Sequence, residues 1–276
     1  MATIEARRTA ILLYPGVKAA STPREDRDFR VAEHPAYPNP TIAEAVCEVH
    51  FTLAPDAAWS PSNPGQFWKE IASDYPDIEP IIEAGIGFKL NEHGGIEQIL
   101  TERKRYRFTN PSKTMMIHIA ENIFTLNVLP PWPGSDAMRD QLIKRWSIVR
   151  RLFNPQNITR VGVRYINKMP RLASDELASY WLRDTDFIAK APLNSEPPFL
   201  SRVEARINDK DRAVVNVGIL KNNSPYGVVL FDIDCIRQYD TSTDDEALAS
   251  CSYDLGEIAW QIFCAGGLHP TNAGMS

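Results

Sequence analysis

Asn154-Pro155-Gln156-Asn157-Ile158-Thr159-Arg160-Val161-Gly162-Val163-Arg164-Tyr165-Ile166-Asn167 is the stretch on which the reading of this chain turns. Asn-Pro closes the helix before it, because proline disfavours helical backbone in the residue it follows. From Ile158 to Met169, β-branched residues alternate with polar ones, which predicts a strand with two unlike faces. Residues two apart share a face of a strand. Arg160, Gly162 and Arg164 therefore fall on one side, and Tyr165 and Asn167 on the other. A full set of elements precedes this strand, and the same order restarts with it.

Upstream, Ala45 to Leu53 predicts a first strand, with Ala45, Cys47, Val49 and Phe51 opposite Val46, Glu48 and His50. Asn63 as N-cap, Pro64 at the first helical position and Gln66 as the capping-box partner open a helix that Pro76 ends. Gly85, Gly87, Gly94 and Gly95 read as turn glycines in a loop. Strands follow at Glu97 to Phe108, Met115 to Ile119 and Ile123 to Leu129, then a long helix from Ser135 to Phe153. Downstream, Ser174 caps a short helix. Strands are predicted at Leu200 to Ile207, Ala213 to Leu220 and Gly227 to Ile236, and Thr243 with Glu246 opens a last helix. Trp59 and Trp132, beside proline-rich breaks, are expected to plug an open sheet edge or, alternatively, to anchor a partner. The fold class is α+β: duplicated strand–helix–three strands–helix units, forming a mainly antiparallel sheet with helices on one face. Residues 1–38 read as a flexible polar extension, 39–155 as the first half and 156–276 as the second, the two halves forming one compact unit.

The composition is that of a globular protein, 43% hydrophobic and 24% charged. A net charge of −5 gives no overall positive field, so nucleic acid is not the favoured partner. No apolar run approaches the roughly 18 residues of a membrane span. Arg7 and Arg8 precede only Ile11 to Tyr14, too short for a secretory signal. A cytoplasmic location without membrane contact is expected. Cys47, Cys235, Cys251 and Cys264 are dispersed among apolar neighbours and read as small core residues. The histidines form no paired metal motif and no phosphate-cradle or nucleophile signature is present, so no cofactor is expected.

Three constellations carry possible chemistry. Asp232 and Asp234 share one strand face, where two carboxylates could hold Mg2+ or Mn2+ or divide acid and base roles. The bland reading pairs them with arginines on neighbouring strands. Arg160 and Arg164 could clamp an anionic ligand bidentately, or form an Arg–carboxylate ladder with Asp232, Asp234, Glu44 and Glu48. Arg103-Lys104-Arg105-Tyr106-Arg107-Phe108 could track a nucleic-acid backbone, with Arg105 and Arg107 as ligand-binding candidates, although its alternating aromatics suit a core face better.

Four runs resemble a bacterial family of uncharacterised, sporadically distributed proteins. They are Asn39-Pro40-Thr41-Ile42-Ala43-Glu44-Ala45-Val46-Cys47-Glu48, Tyr106-Arg107-Phe108, Ile158 to Asn167, and Leu230-Phe231-Asp232-Ile233-Asp234. They are similar to its P-x-I-x-E-A-V-x-E, Y-R-F, I-T-R-x-G-x-R-Y-I-N and L-x-D-I-D motifs. The resemblance spans about Pro40 to Phe263, omits the N-terminal extension, and departs at Cys264-Ala265-Gly266-Gly267. It implies no activity; patchy distribution is typical of mobile or defence-associated genes. The resulting expectation is a non-catalytic, protein-binding or regulatory component of a bacterial accessory or defence-type system. The alternatives are a metal-assisted enzyme using Asp232 and Asp234, and a small-anion binder using Arg160 and Arg164.

Overall fold

The computed structural model describes residues 37–55, 57, 59–90, 96–170, 199–220, 227–241 and 244–265. The described elements run β1 (Ile42–Leu53), α1 (Asn63–Ile71), β2 (Asp77–Leu90), β3 (Ile96–Thr109), β4 (Met115–Ala120), β5 (Ile123–Val128), α2 (Ser135–Phe153), β6 (Pro155–Pro170), β7 (Phe199–Arg206), β8 (Asp211–Leu220), β9 (Val228–Thr241) and α3 (Asp245–Ala265). The strands form one nine-stranded sheet in the order β2-β3-β4-β5-β1-β6-β9-β8-β7. Every adjacent pair is antiparallel. The chain is mixed α and β with strands dominant, and Tyr37–Ser276 is one compact unit.

Alternation in β1 explains the layering. Ala45, Cys47, Val49 and Phe51 are buried on one face, while Glu44, Val46, Glu48 and His50 point to the other. The apolar face receives the helices. Trp146 of α2 meets Phe51 edge-on, and Phe67 of α1 meets Phe108 of β3 and Phe124 of β5. α3 lies over β6 and β9, and the helices touch in the series α1, α2, α3. On its side of the sheet α3 brings Gly256 against the Tyr165 hydroxyl. Arg237 of β9 forks onto Asp211 of β8 at 2.6 and 2.9 Å and reaches Asp254 of α3 at 3.1 Å, fastening helix to sheet.

Several expectations change. The first half has four strands between its helices, because the run with Gly85 and Gly87 is strand β2. Glycine and Pro80 are weak strand formers, but an edge strand tolerates a missing N–H, and β3 supplies a full partner register from Asp77↔Thr109 to Leu90↔Ile96. The N-cap of α1 is Ser62, with Asn63 already helical, and the helix ends at Ile71, ahead of Pro76. Asp244 caps α3, its carboxylate accepting the Ala247 N–H at 2.6 Å. Trp59 packs on Phe153 and Trp132 on Tyr165, so both serve the helix-side core instead of plugging an edge. Gly94, Gly95, Thr243, the helix at Ser174 and the N-terminal extension up to Ala36 lie outside the described residues.

Candidate functional site

The candidate residues gather on the sheet face opposite α1, α2 and α3. Register places them there: Glu48 lies opposite Thr125 of β5 and Gly162 of β6, and Arg164 lies opposite Val46 of β1 and Asp234 of β9. Asp232 lies opposite Ile166 and Asn216. Across an antiparallel ladder, opposed residues share a face, so β3, β4, β5, β1, β6, β9 and β8 all contribute side chains to one polar band.

Two carboxylates organise that band. Glu48 takes Arg105 Nη1 at 3.0 Å on Oε2 and Arg160 Nη1 at 2.7 Å on Oε1, and His50 Nε2 lies 2.7 Å from Oε1. Thr125 Oγ1 accepts from Arg105 at 3.0 Å and lies 3.3 Å from Glu48 Oε2. Burial alone would push the Glu48 carboxyl up. The His50 hydrogen bond and the charges of Arg105 and Arg160 outweigh it and hold the group well below the usual carboxylate range. Asp232 is the second centre. Arg164 forks onto it through Nε and Nη2, both at 2.7 Å, and Asn216 Nδ2 donates to Oδ2 at 2.8 Å. Its side chain is 4% exposed, whereas that of Arg164 is 43% exposed.

Gly162 has a local role in this arrangement. A Cβ there would stand 3.2 Å from Arg160 Nη2, so the missing side chain leaves room for the Arg160 guanidinium to cross β6 toward Glu48. The same strand thus sends one arginine to β1 and the other to β9.

The candidates divide. Arg160 and Arg164 are paired with Glu48 and Asp232, two of the four carboxylates considered for them. Glu44 accepts instead from Asn127 at 2.5 Å. Asp234 lies directly across from Arg164 but has no hydrogen bond or ion pair among the described residues. Burial raises its pKa, opposed by Arg160 and Arg164. Arg105 is 4% exposed, too deep to reach a nucleic-acid backbone, and Arg107 is held by Glu79 at 2.5 and 2.8 Å. Among the described residues, no group of three or more His, Cys, Asp or Glu could hold a metal ion. The buried thiols are pushed up by desolvation, Cys235 to about 12, so they are poor nucleophiles.

Sequence reasoning missed His118, Thr125 and Asn216. His118 stands opposite Arg107 and Thr125, and burial together with Arg105 and Arg107 lowers its pKa to about 4. It is neutral near pH 7. Alternation in β4 could have placed His118 beside the arginine row, but only the sheet order shows which row that is.

No protein-family model and no curated protein matches the chain. Among solved structures it is similar to the di-domain ARO/CYC StfQ from the steffimycin biosynthetic pathway, at 9% identity and a TM-score of 0.23, covering 84% of this chain and 99% of that one. A likeness that distant carries no argument about function.

Proposed function

We propose that the chain is a non-catalytic binding or regulatory component that engages a protein partner through the polar face of its sheet, opposite α1, α2 and α3. One observation supports this reading above others: both central carboxylates are already saturated by fixed donors. Glu48 holds Arg105, Arg160 and His50, and Asp232 holds Arg164 and Asn216. Groups locked this way are poorly placed to exchange protons or bind a metal, and they hold Arg164, 43% exposed, rigidly where a partner can meet it. Placement in an accessory or defence-type system rests on the family resemblance alone, and a cytoplasmic location on the sequence pattern.

The strand order also supports reading the sheet as two copies of one unit. Outward from β1 come β5, β4 and β3; outward from β6 come β9, β8 and β7. The last strand of each half leads into a long helix. On this reading β2 is an addition to the first copy.

The test is co-purification from the native host with a tagged wild-type chain and the variants Arg164→Glu and Asp234→Arg. Loss of a wild-type partner in variants with unchanged circular dichroism supports the binding reading. Retention of the partner by both variants contradicts it. Calorimetric binding of Mn2+ that Asp234→Asn abolishes would favour the metal-assisted alternative, and binding of inorganic phosphate that Arg164→Ala abolishes would favour the anion binder.

A further inference from the structure

The two edges of the sheet are built differently. β2 carries Pro80, which has no N–H to offer a neighbour. β7, Phe199-Leu200-Ser201-Arg202-Val203-Glu204-Ala205-Arg206, has no proline, and among the described residues no strand lies beyond it. The direction of its free backbone groups follows from one bond. Ile207 N–H donates to Asp211 C=O at 2.9 Å, so Ile207 faces β8. Antiparallel ladders alternate, so Ala205, Val203 and Ser201 also face β8, and the N–H and C=O groups of Leu200, Arg202, Glu204 and Arg206 point outward.

That outward row is self-complementary. Arg202 and Glu204 are both more than half exposed and pair with each other at 2.7 Å within the strand. Leu200 is 61% exposed. Laying a second β7 antiparallel alongside allows three registers that match outward groups with outward groups near the strand centre. Setting Arg202 against Arg202, or Glu204 against Glu204, opposes like charges. Only the register with its twofold axis at Val203 sets Arg202 against Glu204 twice and Leu200 against the Arg206 stem twice.

We propose that two copies of the chain associate through β7 in this register, extending the sheet across a twofold axis. The occupant of the edge is a second copy because the strand's own charge order is complementary to itself reversed. This edge is separate from the polar centre of the sheet and stands whether or not that face binds a partner.

Sedimentation velocity on the full chain tests it. The wild type is expected to dimerise reversibly. Arg202→Glu and Glu204→Arg each oppose like charges at two symmetric positions and should weaken association about tenfold or more. The combined R202E/E204R chain restores opposite pairs and should recover most of the affinity. Val203 meets its counterpart at a non-hydrogen-bonded pair, close enough for a disulfide if both carried thiols. Val203→Cys in a Cys264→Ser background should therefore cross-link into dimers on mild oxidation, a readout that survives if a charge variant fails to fold. A wild-type chain that stays monomeric at its solubility limit overturns the proposal. So does a dimer indifferent to the charge changes, or one in which the Val203→Cys chains do not cross-link.

Discussion

The two faces of this sheet are held by different physics. Toward the helices, β1 presents Ala45, Cys47, Val49 and Phe51, none more than 1% exposed, and the contacts are apolar and non-directional. Away from them, the same strand presents Glu48 and His50, whose contacts are directional and paired across strands. Burial of apolar surface tolerates a change of shape better than a loss of volume. A charge network tolerates neither partner's removal, because the remaining charge stays desolvated. The lesson is that the helix side fixes how stable the molecule is, and the other side fixes which strands may be neighbours.

The largest expected effect lies on the helix side. Trp146 is fully buried against Phe51 and Phe124. Trp146→Ala should cost about 3–5 kcal/mol in urea unfolding, whereas Leu142→Met should cost under about 1.5 kcal/mol. Equal losses would show that volume does not govern that face. Next comes Arg164→Ala, which strands Asp232; because Arg164 is 43% exposed, solvent softens the loss to about 2–3 kcal/mol. Arg164→Ala with Asp232→Asn should cost less than the sum of the single changes, and strict additivity would mean that the pair is not coupled.

Acid sharpens the comparison further. His118 has a folded-state pKa of about 4, below its ordinary 6.5, so between those values the unfolded chain binds more protons and stability rises with pH. Glu48, held well below the carboxylate range by His50, Arg105 and Arg160, stays ionised throughout that window. Raising the pH from 4 to 6.5 should therefore add about 1–2 kcal/mol through His118, discounted for its partial exposure. His118→Gln should flatten that slope in unfolding midpoints measured across the window; an unchanged slope would remove His118 from the account. The smallest effect expected is Gly162→Ala. A Cβ 3.2 Å from Arg160 Nη2 forces the guanidinium aside, at about 1 kcal/mol, and the penalty should vanish when Arg160 is already alanine.

Much of this was legible in the residues, for reasons that also mark where legibility ended. Alternation placed Arg160 and Arg164 on one face of β6, and Asp232 and Asp234 on one face of β9, because strand periodicity is local. It could not choose partners. Arg164 sits across from Asp234 yet forks diagonally onto Asp232, and Arg160 turns to Glu48 on the other neighbour, outcomes set by side-chain reach and by the gap over Gly162. β2 escaped notice because Pro80, Gly85 and Gly87 carry weak strand propensity, and its existence depends on β3 as partner. The cap at Asp244 reflects a choice among neighbouring capping residues that local pattern leaves open.

The meeting of β1 and β6 at the middle of the sheet has a consequence for how the protein is made. Glu48 and Arg160 are 112 residues apart, yet they are bonded across adjacent strands. During synthesis β5 can close on one side of β1 well before β6 exists. At ordinary elongation rates the other side of β1 waits roughly 5–20 s after its own synthesis with its ladder unfilled. An open interior strand of this kind invites foreign strands, and closing so long a loop is slow. The newborn first half is therefore the stage at which this chain most needs a chaperone, and a truncation ending before β6 should aggregate where the full-length product does not.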